Sequence, residues 1–393
     1  MPMALVSSDS ATDGRSTQVP AAWRALRIAV IGAGLSGLAA ARMLADQQHQ
    51  VSLFEKSRGC GGRAATRRAA HPSGQPSEQA LRFDHGAQYF TARDPGFQRR
   101  VQSWAERGLV APWGGRIGAF DGTEFTPAAQ ETTRWVGVPG MSALGRELAA
   151  GLNLRLETRV MPPRWCRGRW QLSDEAGTDL GRFDRVVVSA PAPQSAELLM
   201  DAPRLAAQAA CVDYRPCWTL MLGFDTPVPL AFDGVFVNQT QGPLRWVARD
   251  SSKPGRARPA RDAAVAGNAA VAGNAAVAGN AARGEPDCWV LHAEPGWTRK
   301  HLNDPREQVE AALLEAFAAL VELAGGSLPR INWRQSHSWL YSLVETPLEE
   351  GCLWDPALGI GACGDWCNGA RIEGAWLSGE AIASRLLAAV ASA

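Results

Sequence analysis

The sequence predicts an α/β chain of two domains. The first carries a central parallel sheet and a β-meander; the second is an α+β unit with a mixed, antiparallel sheet. Three observations carry this reading. Residues 27–55 read as strand, Gly-rich turn, helix and strand in immediate succession. Arg185–Ala190 (RVVVSA) is a near-continuous apolar run, as a strand buried on both faces requires, and Gly359–Asp365 (GIGACGD) is a second such run near the end of the chain. Trp218–Phe224, Val235–Asn238, Trp246–Ala248, Cys288–Ala293 and Asn332–Leu343 supply the strands of the second sheet.

The opening unit is the most specific. Ile28, Val30 and Ile31 make a short buried strand. Gly32-Ala33-Gly34-Leu35-Ser36-Gly37 then fits G-x-G-x-x-G. Gly32 permits the tight turn, Gly34 lets a pyrophosphate approach the backbone, and Gly37 lets the helix pack against the sheet. The N–H groups of the first helical turn, around Leu35 and Ser36, face the phosphates. Val51–Phe54 is the next strand, and Glu55 closes it 18 residues past Gly37, where its carboxylate can accept ribose hydroxyls. This is a Rossmann-type dinucleotide site. The loop Ser57–Arg63 (SRGCGGR) adds a second Gly-rich, basic element directly after Lys56, which belongs to the same turn. A nicotinamide site does not need it. FAD, whose pyrophosphate and ribityl chain cross the domain, can use the amides at Gly62 and the Arg63 guanidinium.

Later elements follow in order. Phe97–Gly108 reads as a helix with Val101 and Trp104 inward, and Ile117–Val138 as short strands. Ser142 is placed to cap a helix running to Gly151. Leu152–Arg164 and Gly168–Leu180 read as a strand and a β-meander. Asp304, Pro305 and Glu307 spell N-cap, N1 and N3 of a capping box. Val309, Leu313, Phe317, Leu320 and Val321 form the apolar stripe of that helix, and Gly325-Gly326 stops it. The cofactor domain is then discontinuous: 27–97, 141–200 and 351–393, with 98–140 and 201–350 as the substrate domain. Residues 1–26 read as a disordered extension, and 256–286, holding three AAVAGN copies, as a flexible low-complexity insertion.

Composition excludes several classes. The 393 residues carry a net charge of +1, which gives no case for nucleic acid or an anionic membrane surface. No apolar run approaches a membrane span, and the polar N-terminal stretch does not read as a signal peptide. The eight cysteines are scattered without C-x-x-C, so reduced thiols in a cytoplasm are expected rather than zinc or disulfides, and no metal site is expected.

Beyond the Gly-rich loops, GAQYFTARDPGF from Gly86, RWVGVPGMSAL (134–144), RWVARDSSKPGR (245–256) and GDWCNGARIEGAWLSG (364–379) are separate motifs. Together they resemble the FAD-dependent flavin amine oxidase superfamily, and within it the bacterial renalase-type flavoproteins. The resemblance covers nearly the whole chain from Arg27. It implies that Gly86, Ala87, Gln88 and Tyr89 pass along the flavin and that Val160 brings a backbone amide to the adenine. It also implies that Asp365 holds the ribityl side and that Glu373, Gly374 and Ala375 open a helix aimed at the flavin pyrimidine. The FAD is expected to be non-covalent.

Two substrate classes follow. A flavin amine oxidase acting on a small amine or polyamine must receive its substrate neutral, and an ammonium with a Lys-like pKa costs about 4 kcal/mol to deprotonate at neutral pH. Lys56, Lys253 and Lys300 are the only lysines; Lys253 reads as part of a polar loop and none reads as placed beside the flavin. The renalase resemblance implies instead the oxidation of 2- or 6-dihydro isomers of NAD(P) to NAD(P)+, with O2 reoxidising the flavin to give hydrogen peroxide. Tyr89, Thr91, His337, Trp339 and Arg371 are the expected substrate-side residues: aromatics to sandwich the nicotinamide, Arg to meet its phosphates. A non-catalytic FAD-binding protein is the third reading. Oligomeric state is not set by the sequence.

Overall fold

The computed structural model describes residues 25–70, 80–128, 132–238, 242–257 and 285–391. The AAVAGN copies and all but the last residues of the N-terminal extension lie outside them.

Two sheets organise the chain. In the first, Leu353–Asp355, Ile360–Ala362, Arg185–Val188, Arg27–Ile31, Gln50–Phe54 and Asn153–Arg155 lie side by side in that order. All neighbours are parallel except the edge pair Leu353–Asp355 with Ile360–Ala362. Arg27–Ile31 sits near the middle because Ile28, Ala29 and Val30 are apolar on both faces, and all three are fully buried. The helix Leu35–Asp46 covers one face and packs on the C-terminal helix Ile372–Ala391. Arg164–Cys166, Arg169–Ser173 and Asp179–Phe183 form the antiparallel meander.

The second sheet has seven strands, in the order Ile331–Val344, Tyr214–Phe224, Asp287–Ala293, Leu244–Arg249, Gly234–Val237, Ile117–Phe120 and Phe125–Pro127. Only Gly234–Val237 and Ile117–Phe120 pair in parallel, so the sheet is mixed. The helix Arg306–Leu323 buries Val309, Leu313, Phe317, Leu320 and Val321 against it. This is the stripe that helical spacing requires.

Helix starts depart from the expectation. Arg306–Leu323 begins one residue later than the capping box requires: Pro305 is its N-cap, with no side-chain cap. Asp304 is drawn away instead, its Oδ2 lying 2.7 Å from His301 Nδ1. Ser142 is likewise inside its helix rather than capping it. Its N–H donates to Thr66 Oγ1, which offers that turn a tertiary acceptor. The stop is as expected: Gly325 takes φ +83° and Gly326 N–H returns to Val321 O.

Gly37 shows why the opening turn tolerates no side chain. A Cβ there would lie 2.0 Å from Gly32 O and 2.9 Å from Ser189 Cβ. Gly37→Ala is therefore expected to push the helix off the sheet and destabilise the protein by about 1–3 kcal/mol. Purified variant should melt several degrees lower and carry less flavin per chain. An unchanged melting curve with full flavin content would refute this account of the packing.

Candidate active site

One cleft of about 1990 Å³ runs between the two sheets, and most of the anticipated residues line it. That is about twice the upper end of the ~300–1,000 Å³ usual for one small-molecule pocket.

Its cofactor end is built by the opening unit. Gly32 turns at φ +105° and Gly34 presents bare backbone to the cleft, where an added Cβ would meet nothing within 4 Å. The helix behind it has Gly34 as N-cap, no side-chain cap and no acid in its first turn. Its leading N–H groups thus have no carboxylate competing for them, which suits a pyrophosphate. The loop carrying Gly61 and Gly62 closes beside it through a Gly34–Gly61 bridge. Glu55 ends its strand with Oε2 accepting Ala33 N–H and Oε1 accepting Ser57 N–H, both at 2.8 Å. The carboxylate therefore pins both Gly-rich loops and keeps further lone pairs toward the cleft. Lys56 reaches Gln194 Oε1 at 3.1 Å. Val160 lies on the wall, fastened by Met161 N–H to Ser173 O and Glu175 N–H to Arg159 O; neither bond uses its own amide.

Arg63 and Asp365 meet in a bidentate pair at 2.8 and 2.6 Å, with Arg63 also donating to Ser342 O at 3.0 Å. This fork ties the Gly-rich loop to the end of the last parallel strand and to the edge strand of the second sheet. Gly86, Ala87, Gln88 and Tyr89 line the cleft as one segment. A Cβ on Gly86 would lie 2.1 Å from Arg63 O, so the segment can lie close only because it has none. Tyr89 sits 5.9 Å from Trp246 and carries the Arg134 guanidinium 5.6 Å from its ring. Thr91, His337, Trp339 and Arg371 line the same cleft. Leu35, Ser36 and Ala375 do as well.

Three anticipated cofactor residues stand off the cleft wall. Gly37 serves the packing described above. Gly374 does the same, a Cβ there being 2.0 Å from Gly369 O. Glu373 Oε1 accepts the N–H groups of Arg93 and Asp94, both at 2.7 Å, clamping the stretch after Gly86–Tyr89 onto the C-terminal helix.

Lys253 requires a correction. It sits in the loop after the Asp250–Ser252 turn, but its side chain is fully buried rather than solvated. Its Nζ contacts Asp250 and donates to Asp84 Oδ2 at 3.3 Å and Gln88 Oε1 at 3.1 Å. It therefore stands directly behind the Gly86–Tyr89 segment and fixes the Gln88 amide, whose nitrogen donates to Asp84 O. Arg256 also contacts Asp84. The Arg256 and Lys253 charges hold the Asp84 carboxyl below its usual range against the opposing effect of burial.

Sequence reasoning reached His337 but missed the histidine group it belongs to. His85, His292 and His337 all line the cleft. The His85 ring lies 5.1 Å from His337 and 5.0 Å from Trp339, and the His337 and Trp339 rings are 4.4 Å apart. Trp339 Nε1 donates to His85 O at 2.9 Å, and His292 Nε2 lies 3.2 Å from the same oxygen. Burial pushes His85 down to about 3 and His292 down to about 4, and lowers His337. Besides His337, the available signal was His85, a polar residue inside the Asp-His-Gly-Ala turn.

All eight cysteines are free thiols, and Cys363 and Cys367 are buried off the cleft wall. Burial pushes the Cys363 thiol up to about 12. Among the described residues there is no metal-holding cluster, and no helix is long and apolar enough to cross a membrane.

A family model described as flavin containing amine oxidoreductase matches residues 122–387. One described as NAD(P)-binding Rossmann-like domain matches residues 30–107. Among solved structures, the chain is similar to a protoporphyrinogen oxidase-like protein from Exiguobacterium sp. 255-15, with TM-score 0.69, 14% identity, and coverage of 93% of this chain and 99% of that one. It is similar to the cyclohexylamine oxidase of Brevibacterium oxydans IH-35A, with TM-score 0.65, 11% identity, and coverage of 92% and 99%. A putrescine oxidase with a redesigned cofactor site gives TM-score 0.62, 12% identity, and coverage of 93% and 100%. At these identities the likeness is one of fold. A 38-residue stretch is 58% identical to the 4,4'-diapophytoene desaturase of Staphylococcus aureus (strain Newman), covering 10% of this chain and 8% of that protein.

Proposed function

Because the chain belongs to the flavin-containing amine oxidoreductase family and is an FAD-dependent oxidoreductase, we propose that its electron donor is a dihydronicotinamide dinucleotide of the 2- or 6-dihydro type. The product is NAD(P)+, as in renalase-type enzymes. Bound FAD supplies a ring that accepts a hydride and yields its electrons to dioxygen, giving hydrogen peroxide.

The charge of the cleft carries this reading. Eleven Lys and Arg side chains line it against three carboxylates, Glu55, Glu197 and Asp365. One FAD pyrophosphate offsets only part of that excess. Asp365 is held by Arg63, and Glu55 by two backbone amides. Glu197 stands on the helix that presents Gln194 to Lys56. An ammonium entering this cleft meets an excess of cations with Glu197 as its one exposed carboxylate, whereas a dinucleotide meets cations throughout. The cleft volume also suits two dinucleotide-sized ligands better than FAD and a small amine.

In this reading Tyr89 and Trp339 flank the nicotinamide ring, Arg371 meets its phosphates, and Thr91 and His337 orient it. The Lys253-held Gln88 keeps the flavin-facing segment rigid, so the donor carbon approaches in one geometry. The histidines stay neutral and so do not repel the cationic ring of the product.

The amine reading draws on the neighbours named putrescine oxidase and cyclohexylamine oxidase. Anaerobic mixing separates the readings. The 2- or 6-dihydro isomers should bleach the flavin and return NAD(P)+, while ordinary NAD(P)H, putrescine and cyclohexylamine should not. Bleaching by an amine alone would transfer the assignment to the amine oxidases. No bleaching by any donor would favour a binding-only flavoprotein.

A further inference from the structure

Resting on the dinucleotide reading, we propose that His292 reads the carboxamide of the donor. Its Nδ1 accepts the carboxamide N–H, so the cleft selects nicotinamide over rings of the same shape that lack this hydrogen.

His292 belongs to the strand Asp287–Ala293, inside the second sheet. It stands opposite Thr219 on one neighbouring strand and Trp246 on the other, so the three side chains share a face. His292 and Trp246 line the cleft from that face. The His292 ring is part-exposed, and its Nε2 lies 3.2 Å from His85 O. A carbonyl oxygen only accepts, so Nε2 carries the hydrogen. Burial keeps the ring neutral, its pKa down at about 4. A neutral imidazole has one N–H, which leaves Nδ1 with a bare lone pair. The other tautomer would set two lone pairs against each other at the His85 contact. That carbonyl is held in place, since Trp339 Nε1 and Thr219 Oγ1 also donate to it, at 2.9 and 3.3 Å. Among the described residues none donates to His292 Nδ1, and this atom is not sealed in the interior as His85 Nδ1 and Trp246 Nε1 are. It is an acceptor open to the cleft. Acceptors are scarce there, because Asp365 is held by Arg63 and Glu55 by two amides. The location selects the nicotinamide end of the donor. His85 immediately precedes the Gly86–Tyr89 segment, so a ring lying against that segment has its edge beside His292.

The test uses the flavin-loaded protein and three oxidised ligands, with Kd read from flavin difference spectra. They are NAD+, its 3-acetylpyridine analogue, which keeps the carbonyl but has no N–H, and its hypoxanthine analogue, which lacks the adenine amino group. The wild type should bind NAD+ at least about tenfold more tightly than the acetyl analogue. The hypoxanthine analogue should bind as NAD+ does. In His292→Phe the preference over the acetyl analogue should vanish through weaker NAD+ binding. Thr219→Val removes another donor to His85 O but keeps Nδ1, and should retain the preference. Equal binding of NAD+ and the acetyl analogue by the wild type would overturn the assignment, whether or not His292→Phe folds. So would an equal loss for both ligands in His292→Phe, collapse of the preference in Thr219→Val, or a loss confined to the hypoxanthine analogue. Failure of the wild type to bleach with any dihydronicotinamide would instead overturn the donor reading, and the three titrations still decide the acceptor.

Discussion

Lys253→Met is expected to lower the unfolding free energy by about 3–5 kcal/mol and to strip most of the FAD from the purified protein. Lys253, Asp84 and Asp250 are each fully buried. With Arg256 they form a cluster of two cations and two carboxylates. Removing one cation leaves an uncompensated buried negative charge, whose desolvation no remaining contact offsets. The loss does not stay local. Asp84 N–H donates to Asp250 at 2.7 Å, and Asp84 Oδ1 accepts Thr66 Oγ1 at 2.7 Å and Met141 N–H at 3.0 Å. The cluster thus fastens the Asp84–Tyr89 segment to the hairpin before it and to the helix after residue 141. Burial and the neighbouring Asp84 charge raise the Asp250 carboxyl, while the cations lower Asp84, so the two acids divide the strain unequally. The double change Lys253→Met with Asp250→Asn restores neutrality and should recover part of the loss. Urea unfolding and the flavin-to-protein absorbance ratio measure both effects. A change below about 1 kcal/mol for the single variant would show that the cluster does not hold the segment.

This cluster also marks where the sequence stops being legible. The glycine turn was readable because each of its constraints is local: Gly32, Gly34, Gly37 and Glu55 lie within one strand–helix–strand unit. The stripe on Arg306–Leu323 was readable for the same reason. Lys253 was not. Only Asp250 is a local partner; Asp84 and Gln88, which tie it to the cleft wall, lie 169 and 165 residues away in sequence. Nothing in the run around it distinguishes a buried lysine from a solvated one. The Arg63–Asp365 fork spans 302 residues, and only family resemblance brought the two into one site. The histidine group is a third case. His85, His292 and His337 come from three separate segments, and each alone has an ordinary packed reading. Asp304 shows the reverse failure: a strong local signal lost to His301, a partner in the preceding turn.

Those histidines make the protein acid-sensitive. Lowering the pH from 7 to 5 is expected to remove about 4 kcal/mol of stability through His85 and His292. The sign follows from proton uptake. Above pH 6.5 both imidazoles are neutral in folded and unfolded chains, so neither contributes a pH slope. Below it the unfolded chain takes up protons, while the folded chain resists down to about 3 at His85 and about 4 at His292. Each pH unit below 6.5 therefore favours the unfolded chain by about 1.4 kcal/mol per histidine, or about 2 kcal/mol each at pH 5. Asp84, held below its usual range, adds nothing in this window, since its loss of charge falls at more acidic pH. Asp250 acts in the opposite direction, its raised carboxyl taking a proton earlier in the folded chain. His292→Gln should flatten a large part of the slope between pH 6.5 and 5, and His85→Gln with His292→Gln most of it, the rest belonging to His337 and His49, which burial also lowers. Urea midpoints at half-unit pH steps, with m-values checked for constancy, give the answer. A wild-type curve that is flat across that interval would mean the cleft admits water and protons to these imidazoles.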